Sequence, residues 1–251
     1  MKIWRYMDLA KFISLLSKEA LYFANPNQFD DPYEFHLPKS HNIEREEKIY
    51  KPAIENMNKL KKEMIKNKPS LEKTNEFKIF EQQIDNLPTK FKNAEKEAKE
   101  RFGVSCWHIN DYENEALWKI YTNQGQGIAI ETTADKLEKS LTFHRKIIFD
   151  KVRYEDFGVA PIEKGHSHYS GFIKRKAFDY EKEFRAMVLL DEKDYKKGCF
   201  VEVKLDILIE KIHISPLMPK YFLDSVKYLC KDKLYDLEEK IIQSSLYDTY
   251  N

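Results

Sequence analysis

Short apolar runs separated by polar turns cover most of this chain, and their spacing predicts a set of brief strands with helices between them. Residues 2–6 read as a first strand. Asp8 is placed to cap a helix carrying Leu9, Phe12, Ile13 and Leu16 on one face. Residues 20–24 form a second apolar run, closed by the turn chemistry of Asn25-Pro26-Asn27. Further strands are predicted at 103–107, 128–131, 147–149, 200–203, 212–214 and 241–242. Helices are predicted at 115–121, with Leu117, Trp118 and Tyr121 inward, and at 170–178 and 220–229. Ala186 to Leu190 is a continuous apolar run ending at Asp191-Glu192-Lys193-Asp194, the mark of a buried strand. The strands are too short and too close for repeated strand–helix–strand units, so the pattern predicts an α+β fold with a largely antiparallel, split sheet.

One stretch breaks the pattern. Residues 44–101 contain no glycine and are crowded with Lys and Glu. Ile54, Met57, Leu60 and Met64 recur at helical spacing, as do Phe77, Phe80, Ile84 and Leu87, which predicts two or three amphipathic helices inserted into one domain as an arm. A solvated helix face and a partner-binding surface both fit such a charge run.

Composition narrows the class. The chain has 251 residues, 43 basic and 42 acidic, so no global field points to nucleic acid or to an anionic membrane. Aromatic residues make up 14 %, which favours a packed core over disorder. The three cysteines, Cys106, Cys199 and Cys230, are widely spaced, which fits a reducing cytoplasm and no disulfide framework. Arg5, Asp8 and Lys11 interrupt the first sixteen residues, which read as neither a signal peptide nor a membrane span.

The candidate chemistry gathers before the buried strand, in Tyr180-Glu181-Lys182-Glu183-Phe184-Arg185. In an extended chain, Glu181 and Glu183 share a face. They are then either a solvated strand end countered by Lys182 and Arg185, or a catalytic pair. Cys106 and His108 have the strand spacing of a thiol and its base, although a cysteine beside tryptophan is more often core. His166 and His168 lack a nearby carboxylate in sequence, so no metal site is predicted. Gly125-Gln126-Gly127 precedes a strand rather than a helix and is a turn, not a dinucleotide fingerprint. Phe29 to Glu34 is an acidic, aromatic loop in which Asp30 is placed to bond nearby amides.

Arg5 in the first strand, Ser105 in a middle strand and Glu181-x-Glu183 at a late one resemble, in that order, the arginine–serine–glutamate arrangement of ADP-ribosyltransferases. More closely, the chain resembles the bacterial domain-of-unknown-function family 2971. The residues carrying that resemblance are Trp4-Arg5-Tyr6, Leu21-Tyr22-Phe23, Phe29-Asp30-Asp31-Pro32, Val104-Ser105-Cys106-Trp107, Ala116-Leu117-Trp118, Gly127 to Glu131 and Tyr180 to Arg185. The transferase resemblance implies a split-sheet core with NAD bound in its cleft as the substrate. It implies that Arg5 grips a phosphate and Ser105 orients the catalytic carboxylate. Glu183 would stabilise the ribosyl cation as nicotinamide leaves, and Glu181 would act as base toward the acceptor. Tyr22, Phe29 and Trp107 become candidates for stacking on the dinucleotide, with core packing as the other reading. Lys174, Arg175 and Lys176 would face a nucleic-acid or protein acceptor. The pattern departs at Trp107, which stands where such enzymes carry a small hydroxyl residue.

The expected activity is transfer of ADP-ribose, or hydrolysis of NAD when water is the acceptor, as in a toxin or phage-defence effector. Two other classes stay open. One is a catalytically inactive module that binds a nucleotide or RNA in the same cleft. The other is an interaction protein working through the arm.

Overall fold

A computed structural model of the chain describes residues 1–122, 125–142, 146–158, 170–231 and 238–248. The predicted His166 and His168 lie outside the described residues. The order is β1 (Lys2–Met7), α1 (Leu9–Lys18), β2 (Ala20–Ala24), α2 (Lys39–Arg45), α3 (Lys51–Asn67), α4 (Asn75–Asp85), α5 (Leu87–Arg101) and β3 (Phe102–Ile109). Next come α6 (Glu115–Tyr121), β4 (Ile128–Thr133), α7 (Ala134–Ser140), β5 (Ile147–Lys151), β6 (Arg153–Glu155), β7 (Ile173–Arg175) and β8 (Glu183–Leu189). The chain ends with β9 (Gly198–Glu202), α8 (Leu205–Leu208), β10 (Lys211–Ile214), α9 (Lys220–Lys231) and β11 (Ile241–Gln243).

The fold is α+β, built on a nine-stranded, largely antiparallel sheet. Its central strand is β3. Along one edge β8 pairs with β3 from Phe102 to His108, and β5 pairs with β8 beyond it. Along the other edge two strands leave at opposite ends. β1 pairs with β3 at His108 and Ile109, and β2 pairs with it at Val104. β1 carries β4, β10 and β11 outward, while β2 carries β9. Ser105, Cys106 and Trp107 therefore border a split between the two wings.

The alternation of side chains sets three cores. Ile3, Met7, Trp107, Ile128, Ile130, Phe184, Ala186 and Val188 pack with Phe12, Leu15 and Leu16 of α1 and with α8 and α9 on one face. Trp4, Tyr6 and Ala129 meet Leu117 and Trp118 of α6 on the other. Val104 and Met187 meet Phe35 and Phe172 in a third cluster. β8 is buried on both faces, which is why it reads as an unbroken apolar run.

Asp8 caps α1 as expected, accepting from the Lys11 amide at 2.8 Å. Ile13 does not share the buried face: it is exposed, and Leu15 takes its place beside Phe12 and Leu16. In the acidic loop it is Asp31, not Asp30, that accepts from a backbone amide, that of Tyr33 at 3.0 Å. The arm forms α2 to α5, with a π-helical turn at Glu46–Tyr50. α3 buries no residue, whereas α4 buries Phe77 and Ile84.

The predicted helix at 170–178 does not form. The segment is a 3-10 turn (Ser170–Phe172), the strand β7, and a second 3-10 turn (Lys176–Glu181). Parallel pairing of β7 with β6 buries Ile173 and Lys174 and overrides local helical preference.

Asn25 joins the wings to the centre. It is fully buried, and its Nδ2 lies 3.0, 3.0 and 3.1 Å from the carbonyl oxygens of Lys99, Glu100 and Phe102. Its Oδ1 accepts from the Asn27 amide at 3.1 Å. Replacing Asn25 with Ala strips the shared donor from these carbonyls, and a loss of about 2–3 kcal/mol is expected in urea unfolding, with an unchanged m-value.

Candidate functional site

The divergence of β1 and β2 over β3 opens a cleft of about 510 Å³. Its walls come from β1 (Arg5, Tyr6), α1 (Lys11), β2 (Tyr22), the following turn (Phe29) and α6 (Tyr121), with Cys106 and His108 of β3 at its floor. Arg5 lies across the split. Its Nη1 donates to Ser105 Oγ at 2.5 Å, Nη2 approaches the Tyr22 carbonyl at 3.4 Å, and the guanidinium sits 5.6 Å from the centroid of the Trp107 ring. Burial lowers the Arg5 pKa below its usual value, yet an arginine stays charged at any working pH. No carboxylate neutralises it among the described residues, so the cleft offers one fixed cation to an anionic ligand.

Behind the floor, on the side of β3 that faces β8, lies a buried ionic network. Glu183 opens β8 opposite His108, and Arg185 lies opposite Cys106, so all four share one face. Arg185 Nε donates to Glu183 Oε2 at 2.7 Å, and its Nη1 donates to Glu34 and to the Gly171 carbonyl. Lys174 Nζ donates to Glu181 at 2.5 Å and to Glu183 at 2.8 Å. Arg185 is fully buried, and Glu34, Glu183, Glu181 and Lys174 are all less than a tenth exposed. The Glu183 amide donates to the Tyr154 hydroxyl at 2.8 Å.

This corrects the solvated strand end that sequence allowed. Nor do both glutamates belong to one extended strand: Glu181 ends a 3-10 turn, and Lys182 between them is left-handed at φ 44°. Both carboxylates converge on Lys174 because that turn folds Glu181 back beside the strand.

The two carboxylates titrate apart. Burial raises Glu181, and the neighbouring Glu183 charge adds to it, bringing it to about 7 despite Lys174. Burial opposes ionisation of Glu183 as well, but Arg185 and then Lys174 outweigh it and hold Glu183 well below the usual carboxylate range. Tyr121, which lines the cleft, is raised by burial and by the charges of Glu181 and Glu183. Burial and Glu183 push the Cys106 thiol up, so it has no thiolate character to serve as a nucleophile.

The structure brings Arg5, Tyr22 and Phe29 together in the cleft. It does not place Ser105 against the glutamates. Ser105 is fully buried and accepts from Arg5 and from Trp107 Nε1 at 3.1 Å, on the face of β3 opposite to His108 and Glu183. Trp107 is in the main core and meets the site through Arg5 and Ser105. The three basic residues predicted to face an acceptor are dispersed. Lys174 is inside the ionic network, Arg175 pairs with Asp31 at 2.7 Å over the Tyr33 ring, and Lys176 is exposed. Glu34, at the end of the acidic loop, and Tyr154 join the site although nothing in the sequence ties either to β8, because distant chain segments deliver them. In the sequence His108 stands out only by its strand spacing from Cys106. No family model, curated protein or solved structure matches this chain.

Two outcomes follow from the network. Lys174→Met leaves two buried carboxylates with one fewer cation, and a loss of about 3–5 kcal/mol is expected at neutral pH by chemical denaturation. The pH dependence has a definite sign. Between about 4.5 and about 7 the folded chain keeps a proton on Glu181 that the unfolded chain has released, so this group's contribution to stability falls as pH rises through that window. Glu183 acts oppositely, its contribution being lost as pH falls. Glu181→Gln should therefore gain stability relative to wild type between pH 5 and pH 8 in unfolding curves taken across that range.

Proposed function

We propose that this protein is an ADP-ribosyltransferase-like enzyme that binds NAD in the split-sheet cleft and breaks its nicotinamide–ribose bond. The observation that carries this reading is the juxtaposition of an uncompensated guanidinium, Arg5, in the split with a glutamate pair behind the adjoining strand. Arg5 holds a phosphate of the dinucleotide, with Lys11 at the rim, and Tyr22, Phe29 and Tyr121 offer aromatic faces to its rings. Glu183, anionic at all working pH, supplies the field that favours the cation left on ribose as nicotinamide departs. Glu181, raised to about 7, is matched to taking the proton of the acceptor, whether a nucleic acid, a protein or water. Ser105 serves this cleft through Arg5, fixing the guanidinium rather than the carboxylate.

A second reading has its own support. Glu183 is 2 % exposed, is held by two cations and does not line the cleft. These are the features of a nucleotide-binding module without turnover. Reaction requires the Lys174 clamp to yield to the ligand; binding alone does not.

Nicotinamide release from NAD separates the two, measured with and without RNA, DNA and cell lysate. The enzyme should release nicotinamide, Glu183→Gln should release it at least about 100-fold more slowly per folded molecule, the folded fraction being read by circular dichroism, and Arg5→Ala should weaken dinucleotide binding about tenfold or more. Binding of NAD that depends on Arg5, with no release under any condition, establishes the module instead.

A further inference from the structure

His108 is 3 % exposed, yet it lines the cleft. Its ring stands between two tyrosines, with centroids 4.7 Å from Tyr121 and 6.0 Å from Tyr6. Nδ1 lies 2.9 Å from the main-chain carbonyl of Glu181. A carbonyl only accepts, so Nδ1 carries the proton and Nε2 is the bare nitrogen. Burial lowers the His108 pKa, and the charges of Lys174 and Arg5 act in the same direction, so the ring stays neutral although Glu181 and Glu183 pull the other way. Among the described residues no group bonds to Nε2. A neutral imidazole locked in one tautomer, with its lone pair unpartnered in a cleft, is a hydrogen-bond acceptor awaiting a donor.

We propose that His108 Nε2 is the acceptor that selects ligands in this cleft, receiving an N–H or O–H of a molecule whose anionic group sits on Arg5. The class is an anionic nucleotide with a donor on its base, amide or ribose. The proposal deepens the dinucleotide reading and rests on it for the choice of ligand only. The backbone of Glu181 fixes the ring, so the residue that the network orients also sets the tautomer reading the ligand. Cys106 beside it has a different role, since its thiol belongs to the buried network.

The test is ring nitrogen NMR on histidine-labelled protein, wild type and His108→Phe, the latter keeping an aromatic ring between Tyr6 and Tyr121. The free wild type should show an imidazole, missing in the variant, with Nδ1 protonated and Nε2 bare. NAD should shift that Nε2 signal, and its affinity should fall about tenfold in His108→Phe while Arg5 still contributes. A protonated Nε2 in the free protein, or an Nε2 signal that stays put while NAD demonstrably occupies the cleft, overturns the proposal. If NAD does not bind wild type, the dinucleotide reading falls by itself, and reaction of folded protein with diethyl pyrocarbonate then decides. Modification mapped to His108 supports an accessible acceptor; an unmodified His108 overturns it.

Discussion

Two cations and three carboxylates are buried together: Glu34, Arg185, Glu183, Lys174 and Glu181 form one chain of ionic contacts. Each charge there would be costly alone, and each is tolerated because its neighbours surround it. The contacts draw on the loop before the arm, on β7 and on the start of β8, so they fix three otherwise distant segments against the face of β3. Replacement of such a network by apolar residues is often neutral or stabilising. What it supplies is therefore geometry: it decides where β7 lies, folds Glu181 back toward the cleft, and presents the carbonyl that orients His108.

The split in the sheet gives that geometry something to act on. Were β1 and β2 to pair with β3 along its whole length, the edge at Ser105 to Trp107 would be closed and Arg5 would have no room to cross it. Their divergence leaves a gap that Arg5 bridges with bonds to Ser105 and to the Tyr22 carbonyl. The cleft and the network thus meet at β3, whose Cys106 and His108 line the cleft and share a face with Glu183 and Arg185. β3 presents Ser105 and Trp107 to the Arg5 side, and Cys106 and His108 to the side of the charges. His108 and Tyr121 line the cleft, and the charge of Glu183 bears on both of them.

Much of the fold was legible in the sequence because strand and helix periodicity is a local property. β1, β2, β4, β8 and β10, the cap at Asp8 and the inward Trp118 all follow from spacing of apolar residues and turn chemistry. The arm was equally plain, since 58 consecutive glycine-free residues, 44–101, with two helical stripes have few other solutions. The failures are non-local. Residues 170–178 carry a composition that suits a helix, and only parallel pairing with β6 makes part of them a strand. Lys174 read as a surface cation because nothing nearby in sequence shows that two carboxylates enclose it.

The sequence by itself determined most of the elements, the α+β class, and many of the polar residues that the site uses: Arg5, Ser105, His108, Lys174, Glu181 and Glu183. Only the tertiary structure decided how they are shared out. Alternation along β3 turned Ser105 away from the glutamates, long-range pairing brought Glu34 and Arg185 together, and burial separated the behaviour of Glu181 from that of Glu183. The physical reason is range. Periodicity acts over a few residues, whereas desolvation and charge pairing depend on which distant segments exclude water around a group.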